Sequence, residues 1–296
     1  MILMNKHNED LVVISIDITL ACNNRCEYCY ALSYLDNKKL INDEVFYDSI
    51  KSINEFKKNY PNKKLKIDIL GGDPLLVIDR VAEFIENTYS EDIFYTIFTN
   101  LNYNTNSNSL KQVKELLQKY KNIMLNISWH KSSKQENLKN NIIELDSLNI
   151  LIIFLIKDSN FEEIYNDMLW LRKNTNSNYD LEFLRDKNSI SELTDFNNYY
   201  YKELKKYSFD NNYKNMLDDR EYLISEILEM GLLDVAKKFK TICKLSQLKI
   251  DYDGNLKVIC SNPIVLGNIK DGIIIKDILC NKYSCLCSTN NFKKLF

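Results

Sequence analysis

The sequence predicts an α/β protein with six βα units and a cysteine-rich β-hairpin after residue 240. From Leu11 to about residue 186, short apolar runs rich in β-branched residues alternate with longer stretches of helical periodicity. This alternation is typical of a parallel sheet with connecting helices. Nearer the carboxyl terminus, two short alternating runs flank Asp253-Gly254, a dipeptide that favours a hairpin turn. Six βα units are fewer than the eight that close a full barrel.

Each unit is recognised by an apolar strand and a following amphipathic helix. The predicted strands are Val12–Thr19, Leu65–Leu70, Ile93–Thr99, Ile123–Trp129, Ile150–Ile156 and Asp180–Leu184. The predicted helices are Asp43–Lys58, Leu76–Thr88, Ser109–Tyr120, Gln135–Leu148 and Phe161–Asn174. A further amphipathic helix is predicted at Asp218–Lys240, and the hairpin strands are expected at Leu248–Asp253 and Asn255–Ile259.

Composition argues against several classes of function. The 296 residues carry a formal net charge of -2, which argues against nucleic acid as the main partner. The amino-terminal segment has no long apolar stretch of the kind that a signal peptide needs, and no apolar run is long enough to span a bilayer. We therefore expect a cytoplasmic protein without a membrane partner. In that compartment, eight cysteines are expected to be ligands and not disulfides.

The eight cysteines fall into two groups. Cys22, Cys26 and Cys29 form a C-x3-C-x2-C arrangement directly after the first predicted strand. Thiolate sulfur selects iron–sulfur clusters or zinc. Because structural zinc sites and electron-transfer clusters take four protein ligands, a loop with three thiols suggests a cluster with one iron open to another ligand. The alternatives are a zinc loop completed by a distant cysteine and free structural thiols.

With Tyr28 before the last thiol, this loop resembles the C-x3-C-x-aromatic-C signature of the radical S-adenosylmethionine (SAM) enzymes. The resemblance implies that the three thiolates hold a [4Fe-4S] cluster, that the amino and carboxylate groups of SAM bind its fourth iron, and that Tyr28 lies near the adenine. It also implies cleavage of SAM to methionine and a 5′-deoxyadenosyl radical, which abstracts a substrate hydrogen. The implied fold is a partial (βα)6 TIM-like barrel with its active site at the carboxyl ends of the strands.

A second motif, Gly71-Gly72-Asp73-Pro74, follows the second predicted strand. A glycine pair at a strand end indicates a tight turn or a close approach of the backbone to a ligand. The motif resembles the Gly-Gly-Glu-Pro turn of radical SAM enzymes, which contacts the methionine amino group of SAM. The resemblance implies that Gly71, Gly72 and Asp73 bind the cofactor, with aspartate in place of the commoner glutamate.

Further candidates lie at other strand ends. Asn100 follows the third predicted strand and Ser128 lies in the fourth. Both segments resemble those that contact SAM in the peptide-modifying branch, although no glycine follows Asn100 here. His130 stands where aspartate is common in that branch, and we predict a substrate-facing acid or base, with a hydrogen-bonded structural histidine as the alternative. Arg185 is expected to pair with a carboxylate of SAM or substrate, with a surface salt bridge as the alternative.

The second group of cysteines surrounds and follows the predicted hairpin. Cys243 and Cys260 flank it, and Cys280, Cys285 and Cys287 come later. The arrangement resembles a shortened SPASM or twitch extension of radical SAM enzymes, which holds auxiliary [4Fe-4S] clusters. Five thiols suffice for one four-coordinate cluster but not for two. We expect one auxiliary cluster on the two flanking thiols and two or three of the later ones, with a zinc site as the alternative.

The resemblance divides the chain into a radical SAM barrel at residues 1–188, a helical connecting segment at 189–240 and an auxiliary-cluster domain at 241–296. We expect hydrogen abstraction from a ribosomally made peptide or protein, leading to a cross-link or an oxidation, with an external electron donor of the flavodoxin or ferredoxin type. No peptide-recognition domain precedes the first strand, which keeps a small-molecule substrate, such as a sugar, nucleotide or cofactor precursor, as an alternative. A tRNA-modifying enzyme and a non-enzymatic zinc-binding scaffold are further alternatives.

Overall fold

The computed structural model describes residues 11–26, 29, 35, 40–105, 107–129, 135–156, 161–183, 242–244, 247–258, 265–273 and 277–279. The first six strands are β1 (Leu11–Thr19), β2 (Lys64–Gly71), β3 (Ile93–Thr99), β4 (Ile123–Trp129), β5 (Ile150–Ile156) and β6 (Asn178–Phe183). The helices are α1 (Asp43–Asn59), α2 (Ile78–Thr88), α3 (Asn108–Lys119), α4 (Gln135–Leu145) and α5 (Phe161–Asn174). The later strands are β7 (Ile242–Lys244), β8 (Gln247–Ile250), β9 (Asn255–Val258), β10 (Val265–Asn268) and β11 (Asp277–Leu279). This order confirms the predicted α/β fold.

The described strands form one large sheet and one small one. The large sheet has the order β10-β9-β8-β1-β2-β3-β4-β5-β6, and β7 pairs with β11 in the small one. Strands β1 to β6 run parallel to their neighbours. Because parallel strands end at the same edge, the cysteine loop after β1 and the glycine turn after β2 meet at the carboxyl edge of the sheet.

One face of the sheet is apolar and covered by helices. Ile14, Ile16 and Ile18 of β1 are fully buried, as are the alternate apolar residues of the neighbouring strands. At the end of β4, the buried Trp129 packs against Phe154 and donates its indole N–H to a carboxylate of α5, which satisfies its one polar atom. Within the described part of the chain, no helix is long and apolar enough to cross a membrane.

Helix ends follow local hydrogen bonding. Asn42 caps α1 and Ser107 caps α3, each by accepting a backbone N–H of the first turn. Helix α4 ends three residues before the predicted Leu148. After the helix the chain turns more tightly, with the N–H of Asp146 donating to the Ile143 carbonyl and that of Leu148 to the Leu145 carbonyl. The carboxylate of Asp146 accepts hydrogen bonds from Asn176 in the loop before β6.

The predicted hairpin is confirmed, and its strands extend the main sheet. Strands β8 and β9 pair antiparallel through a turn in which Gly254 has φ of 81°, a conformation that favours glycine. Strand β8 runs parallel to β1, and the segment after β10 is held by α1, whose Ser52 hydroxyl donates to the carbonyl of Ile269 at 3.0 Å. The three-part division of the chain that the sequence predicts stays a prediction.

A buried ion pair ties the hairpin to the first strand. The Nζ of Lys249 in β8 lies 2.8 Å from a carboxylate oxygen of Asp17 in β1. Asp17 is only 7% exposed. Burial raises the pKa of Asp17, and the lysine acts in the opposite direction. The pair therefore keeps a charged carboxylate inside the fold.

Replacing Lys249 with methionine tests this ion pair. The change leaves the buried Asp17 carboxylate without its cation, and we expect the free energy of unfolding to fall by about 3 kcal/mol at alkaline pH. The loss should shrink as the pH falls, because a carboxyl with a raised pKa becomes neutral first and then needs no cation. Urea unfolding at about pH 8 and about pH 5 measures both values.

The matched control is Lys119→Met, because Lys119 pairs with Glu86 where both side chains are more than half exposed. An exposed pair contributes little to stability. Equal losses for the two lysine variants at alkaline pH would contradict the role given to Lys249.

Candidate cofactor site

The cysteine loop begins at the carboxyl end of β1. Cys22 is buried, while Cys26 and Cys29 are partly exposed, and none of the three is in a disulfide. The backbone N–H of Cys29 donates to the carbonyl of Cys26 at 3.0 Å, so a tight turn brings these two residues together. Arg25 donates to the carbonyls of Cys22 and Asn24 at 2.7 and 2.8 Å. These hydrogen bonds, all of which end on backbone carbonyls of the loop itself, hold the loop in shape.

This donor set fits a cluster with an open iron. Among the residues that the structure describes, no three His, Cys, Asp or Glu side chains converge closely enough to hold one metal ion. A cubane does not require such convergence, because each thiolate binds a different iron. Nearby, the buried Oδ1 of Asn102 has no hydrogen-bond partner within the described residues, so an acceptor is left beside the loop. Burial also raises the pKa of the Cys22 thiol, which must lose its proton to bind iron.

The glycine turn packs directly beneath the cysteine loop. The N–H of Gly72 donates to the carbonyl of Thr19 at 2.8 Å, and the next N–H donates to the carbonyl of Ala21 at 2.7 Å. A Cβ atom on Gly71 would lie 2.2 Å from the Thr19 oxygen, and one on Gly72 would lie 2.1 Å from the Ala21 oxygen. Gly71 also has φ of 144°. Both glycines are therefore required by the close approach of two backbones.

Asp73 joins the ends of β2 and β3. It is 0% exposed, and its carboxylate accepts hydrogen bonds from the N–H of Leu75 and Asn100 and from the hydroxyls of Thr99 and Tyr103. Burial raises the pKa of Asp73, against the effect of these donors. Burial and the nearby carboxylate also raise the pKa of Tyr103, which keeps its proton and remains a donor. Both oxygens of Asp73 are engaged within the protein, and its predicted contact with SAM stays a prediction.

The absence of glycine after Asn100 has a local explanation. Leu101 has φ of 48° and is the one non-glycine residue with positive φ in the described part of the chain. This conformation costs an L-residue about 1–2 kcal/mol. The cost is offset because Leu101 is fully buried, its N–H donates to Thr99, and its carbonyl accepts from Asn141. Leucine thus takes the left-handed conformation that glycine would adopt without strain.

Four asparagines connect the cysteine loop to the loop after β3. Asn100 directs its amide nitrogen toward the Cys22 sulfur at 3.8 Å and donates to Asn23 at 2.8 Å. Asn23 donates to the Asn102 carbonyl at 2.8 Å, and Asn102 donates to the Asn24 side chain at 2.9 Å. The sequence analysis singled out only Asn100. The signal for the others is the occurrence of two asparagine pairs, Asn23-Asn24 after β1 and Asn100-x-Asn102 after β3, at strand ends on the same edge of the sheet.

The remaining predicted residues are only partly described. Ser128 is half-buried near the end of β4, in register with Ile153 of β5, and its role toward SAM stays a prediction. Cys243 lies in β7, opposite Ile278 of β11. The residues outside the described part are Tyr28, His130, Arg185, Cys260, Cys280, Cys285 and Cys287.

Comparison with known sequences gives two matches. The family described as "4Fe-4S single cluster domain" matches residues 18–148, which include the cysteine loop and the glycine turn. The radical SAM cyclopropyl synthase TigE of Paramaledivibacter caminithermalis is 24% identical over 231 residues. That alignment covers 72% of this chain and 47% of TigE, so the matched region is about half the length of this curated relative.

Solved structures show the same fold. The enzyme anSMEcpe with bound AdoMet superposes with a TM-score of 0.59 at 14% identity, covering 88% of this chain and 78% of that one. Streptococcus suis SuiB bound to the precursor peptide SuiA gives a TM-score of 0.51 at 15% identity, covering 84% of this chain and 60% of SuiB. Both likenesses support the partial TIM-like barrel.

A parallel βα sheet that presents three thiols after its first strand, above a glycine turn, is an arrangement that fits a cluster with an open iron. The sequence matches point the same way: residues 18–148 match a 4Fe-4S single cluster domain, and the chain is similar to a radical SAM enzyme. These similarities support a [4Fe-4S] cluster and SAM as its cofactors.

Replacing Gly72 with alanine tests the close approach beneath the cysteine loop. The new methyl group would lie 2.1 Å from a backbone oxygen, so the loop must move. We expect a lower melting temperature and loss of most of the about four iron atoms per chain that the cysteine loop would hold after anaerobic reconstitution, because the three thiols lose their common support. Iron analysis and thermal unfolding monitored by circular dichroism measure the two effects.

Gly267→Ala is the matched control, since a Cβ atom there meets nothing within 4 Å. It should keep the iron content and melting temperature of the wild type. Normal iron loading in the Gly72 variant would show that the backbone approach does not position the loop.

Replacing Asp73 with asparagine tests the buried carboxylate. An amide nitrogen cannot accept hydrogen bonds, so at least one buried donor loses its partner, and we expect the free energy of unfolding to fall by about 3 kcal/mol. Urea unfolding of the cluster-free protein measures the loss. Asp79→Asn, at an exposed position in the first turn of α2, is the control and should change stability little. Equal stabilities for the two variants would refute the central role of Asp73.

Proposed function

We propose that this enzyme uses the cluster on Cys22, Cys26 and Cys29 to start hydrogen abstraction from a ribosomally made peptide or protein. The observation that carries the proposal is the cysteine loop itself, which is fixed on the glycine turn at the carboxyl edge of the sheet. That edge is where barrels of parallel strands place their active sites. A substrate lying over the sheet would therefore meet the cofactors there.

The chemistry needs one electron from outside the chain, for which an external donor of the flavodoxin or ferredoxin type is proposed. Held by Cys22, Cys26 and Cys29, a reduced cluster together with SAM would supply the chemistry: one-electron cleavage of a carbon–sulfur bond of SAM to methionine and a 5′-deoxyadenosyl radical, which would take a hydrogen atom from the substrate. The protein holds the cofactors in place and excludes water. The buried Cys22 and the fully buried Asp73 suit both tasks.

Buried acceptor atoms without a hydrogen-bond partner among the described residues support a substrate rich in hydrogen-bond donors. Asp17 in β1 and Asn126 in β4 are both buried, and each has one side-chain oxygen without a hydrogen-bond partner among the described residues. Strand register places them on the same row across the sheet, with Leu70 and Phe98 between them. Backbone N–H groups of a peptide would supply such donors. SuiB bound to its precursor peptide, and anSMEcpe bound to the Cp18Cys peptide, also support a peptide.

A second cluster on the carboxyl-terminal cysteines is part of the proposal. Strand β7 holds Cys243 at its centre, and its partner β11 ends one residue before Cys280 in the sequence. The antiparallel pairing of these strands thus brings two cysteine-bearing segments of the chain together. Cys243 and Cys260, with two or three of Cys280, Cys285 and Cys287, would hold an auxiliary [4Fe-4S] cluster.

The other predicted residues keep their proposed roles. Tyr28 would lie near the adenine of SAM, and Ser128 and Arg185 would contact SAM. His130 would act as an acid or base toward the substrate. The division into a barrel, a connecting segment and an auxiliary-cluster domain is proposed on the same grounds.

The experiment compares anaerobically reconstituted wild type with a variant carrying Cys22→Ala, Cys26→Ala and Cys29→Ala. We expect the wild type to form 5′-deoxyadenosine from SAM and dithionite, and the variant to form none. The variant should contain about four iron atoms fewer per chain and keep the iron of the auxiliary cluster. Iron and sulfide analysis, with chromatography of the nucleoside product, measures both.

Each outcome decides one part of the proposal. A wild type that holds zinc and cleaves no SAM would refute the radical reaction. A triple variant without iron would refute the auxiliary cluster alone.

The substrate class follows from the same assay with added peptides encoded beside the gene. A peptide substrate should speed the formation of 5′-deoxyadenosine and should itself change in mass. Stimulation by sugars or nucleotides instead would favour a small-molecule substrate.

A further inference from the structure

We propose that Asn100 is a positioning residue that tunes the cluster through the sulfur of Cys22. Its carboxamide donates a hydrogen bond to this cluster ligand and thereby raises the reduction potential of the cluster. The inference rests on the proposed function, since it concerns the cluster on the three amino-terminal thiols. It gives Asn100 a task toward the cluster, distinct from the contact with SAM that the sequence suggests.

Both amide hydrogens of Asn100 have acceptors. Its Nδ2 lies 3.8 Å from the Cys22 Sγ and 2.8 Å from the Asn23 Oδ1. The nitrogen–sulfur distance is long but still within reach of a hydrogen bond to sulfur, which is a larger atom than oxygen. Asn100 is buried, so water does not compete for these contacts.

The surrounding bonds fix which end of the Asn100 amide faces the sulfur. Its Oδ1 accepts the backbone N–H of Asn102 at 2.8 Å, so this end must be oxygen and the other end must be nitrogen. Asn23 confirms the assignment, because its own nitrogen donates to the Asn102 carbonyl and its oxygen is therefore the acceptor for Asn100. Rotation of the amide by half a turn would break three bonds at once.

Cys22 is well placed to pass this effect to the cluster. It is the most buried of the three thiols in the loop, and its sulfur also accepts the backbone N–H of Asn24 at 3.4 Å. Reduction adds negative charge to the cluster and its thiolates. Donors aimed at a ligand sulfur stabilise that charge, so they raise the reduction potential. The backbone donor survives any side-chain substitution, whereas the side-chain donor can be removed alone.

The test uses three full-length variants reconstituted anaerobically: Asn100→Ala, Asn100→Asp and the control Asn149→Ala. Asn100→Ala removes the donor. Asn100→Asp keeps an acceptor for the Asn102 N–H but places an oxygen against the sulfur. Asn149 is a matched control. It lies between α4 and β5, and its side-chain amide donates to the carbonyl of Ile123 in β4, away from the cysteine loop.

Electron paramagnetic resonance at a series of fixed potentials gives the ratio of reduced to oxidised cluster. The signal of interest is the one that the triple cysteine variant lacks. At a given potential we expect Asn100→Ala to lower this ratio about tenfold, which corresponds to about 59 mV for a one-electron couple. Asn100→Asp should lower it further, and Asn149→Ala should match the wild type. The ratio counts only chains that contain the cluster, so the comparison remains valid even if a variant loses part of its iron.

Two results would overturn the inference. One is a wild-type ratio in Asn100→Ala or Asn100→Asp. The other is complete loss of the cluster in both, which would give Asn100 a structural role only. Failure of the proposed function looks different, because the wild type itself would then lack the signal that the triple cysteine variant removes.

Discussion

The site depends on one buried carboxylate. Asp73 accepts hydrogen bonds from the backbone after β2 and from three residues at the end of β3, so it ties two neighbouring strand ends together without any contact with water. Its own N–H is bound to the backbone that leads from β1 into the cysteine loop. A change at this position would therefore loosen the loops after three strands, and with them the three thiols.

Close backbone packing adds a second constraint. Gly71 and Gly72 have no room for a side chain, while Leu101 tolerates a left-handed conformation because it is buried and well bonded. The same loops carry the asparagines that reach Cys22. The same set of contacts thus fixes the position of Cys22 and places polar groups beside its sulfur. This explains how a short loop can present three thiols while only one of them is buried.

The sequence predicted the architecture well because the strands follow a simple physical rule. Strands covered by helices on one face and lying in a parallel sheet must be apolar, and β3, β4 and β5 have the boundaries predicted from that pattern. Helix α4 was predicted too long, because apolar periodicity continues to Leu148 while the backbone already turns more tightly after Leu145. The hairpin was found from its Asp-Gly turn, but its place beside β1 was not, since strand pairing over more than 200 residues leaves no local signal.

By itself, the sequence determined the βα rhythm, the three-thiol loop and the glycine turn, because spacing and residue type carry these features. Only the tertiary structure decided what the turn residues do. It engages both oxygens of Asp73 in the protein interior, brings Asn100 to the Cys22 sulfur and pairs Asp17 with Lys249. These partners lie far apart along the chain. They meet because parallel strands align their carboxyl ends at one edge, a relation that exists only after the sheet has formed.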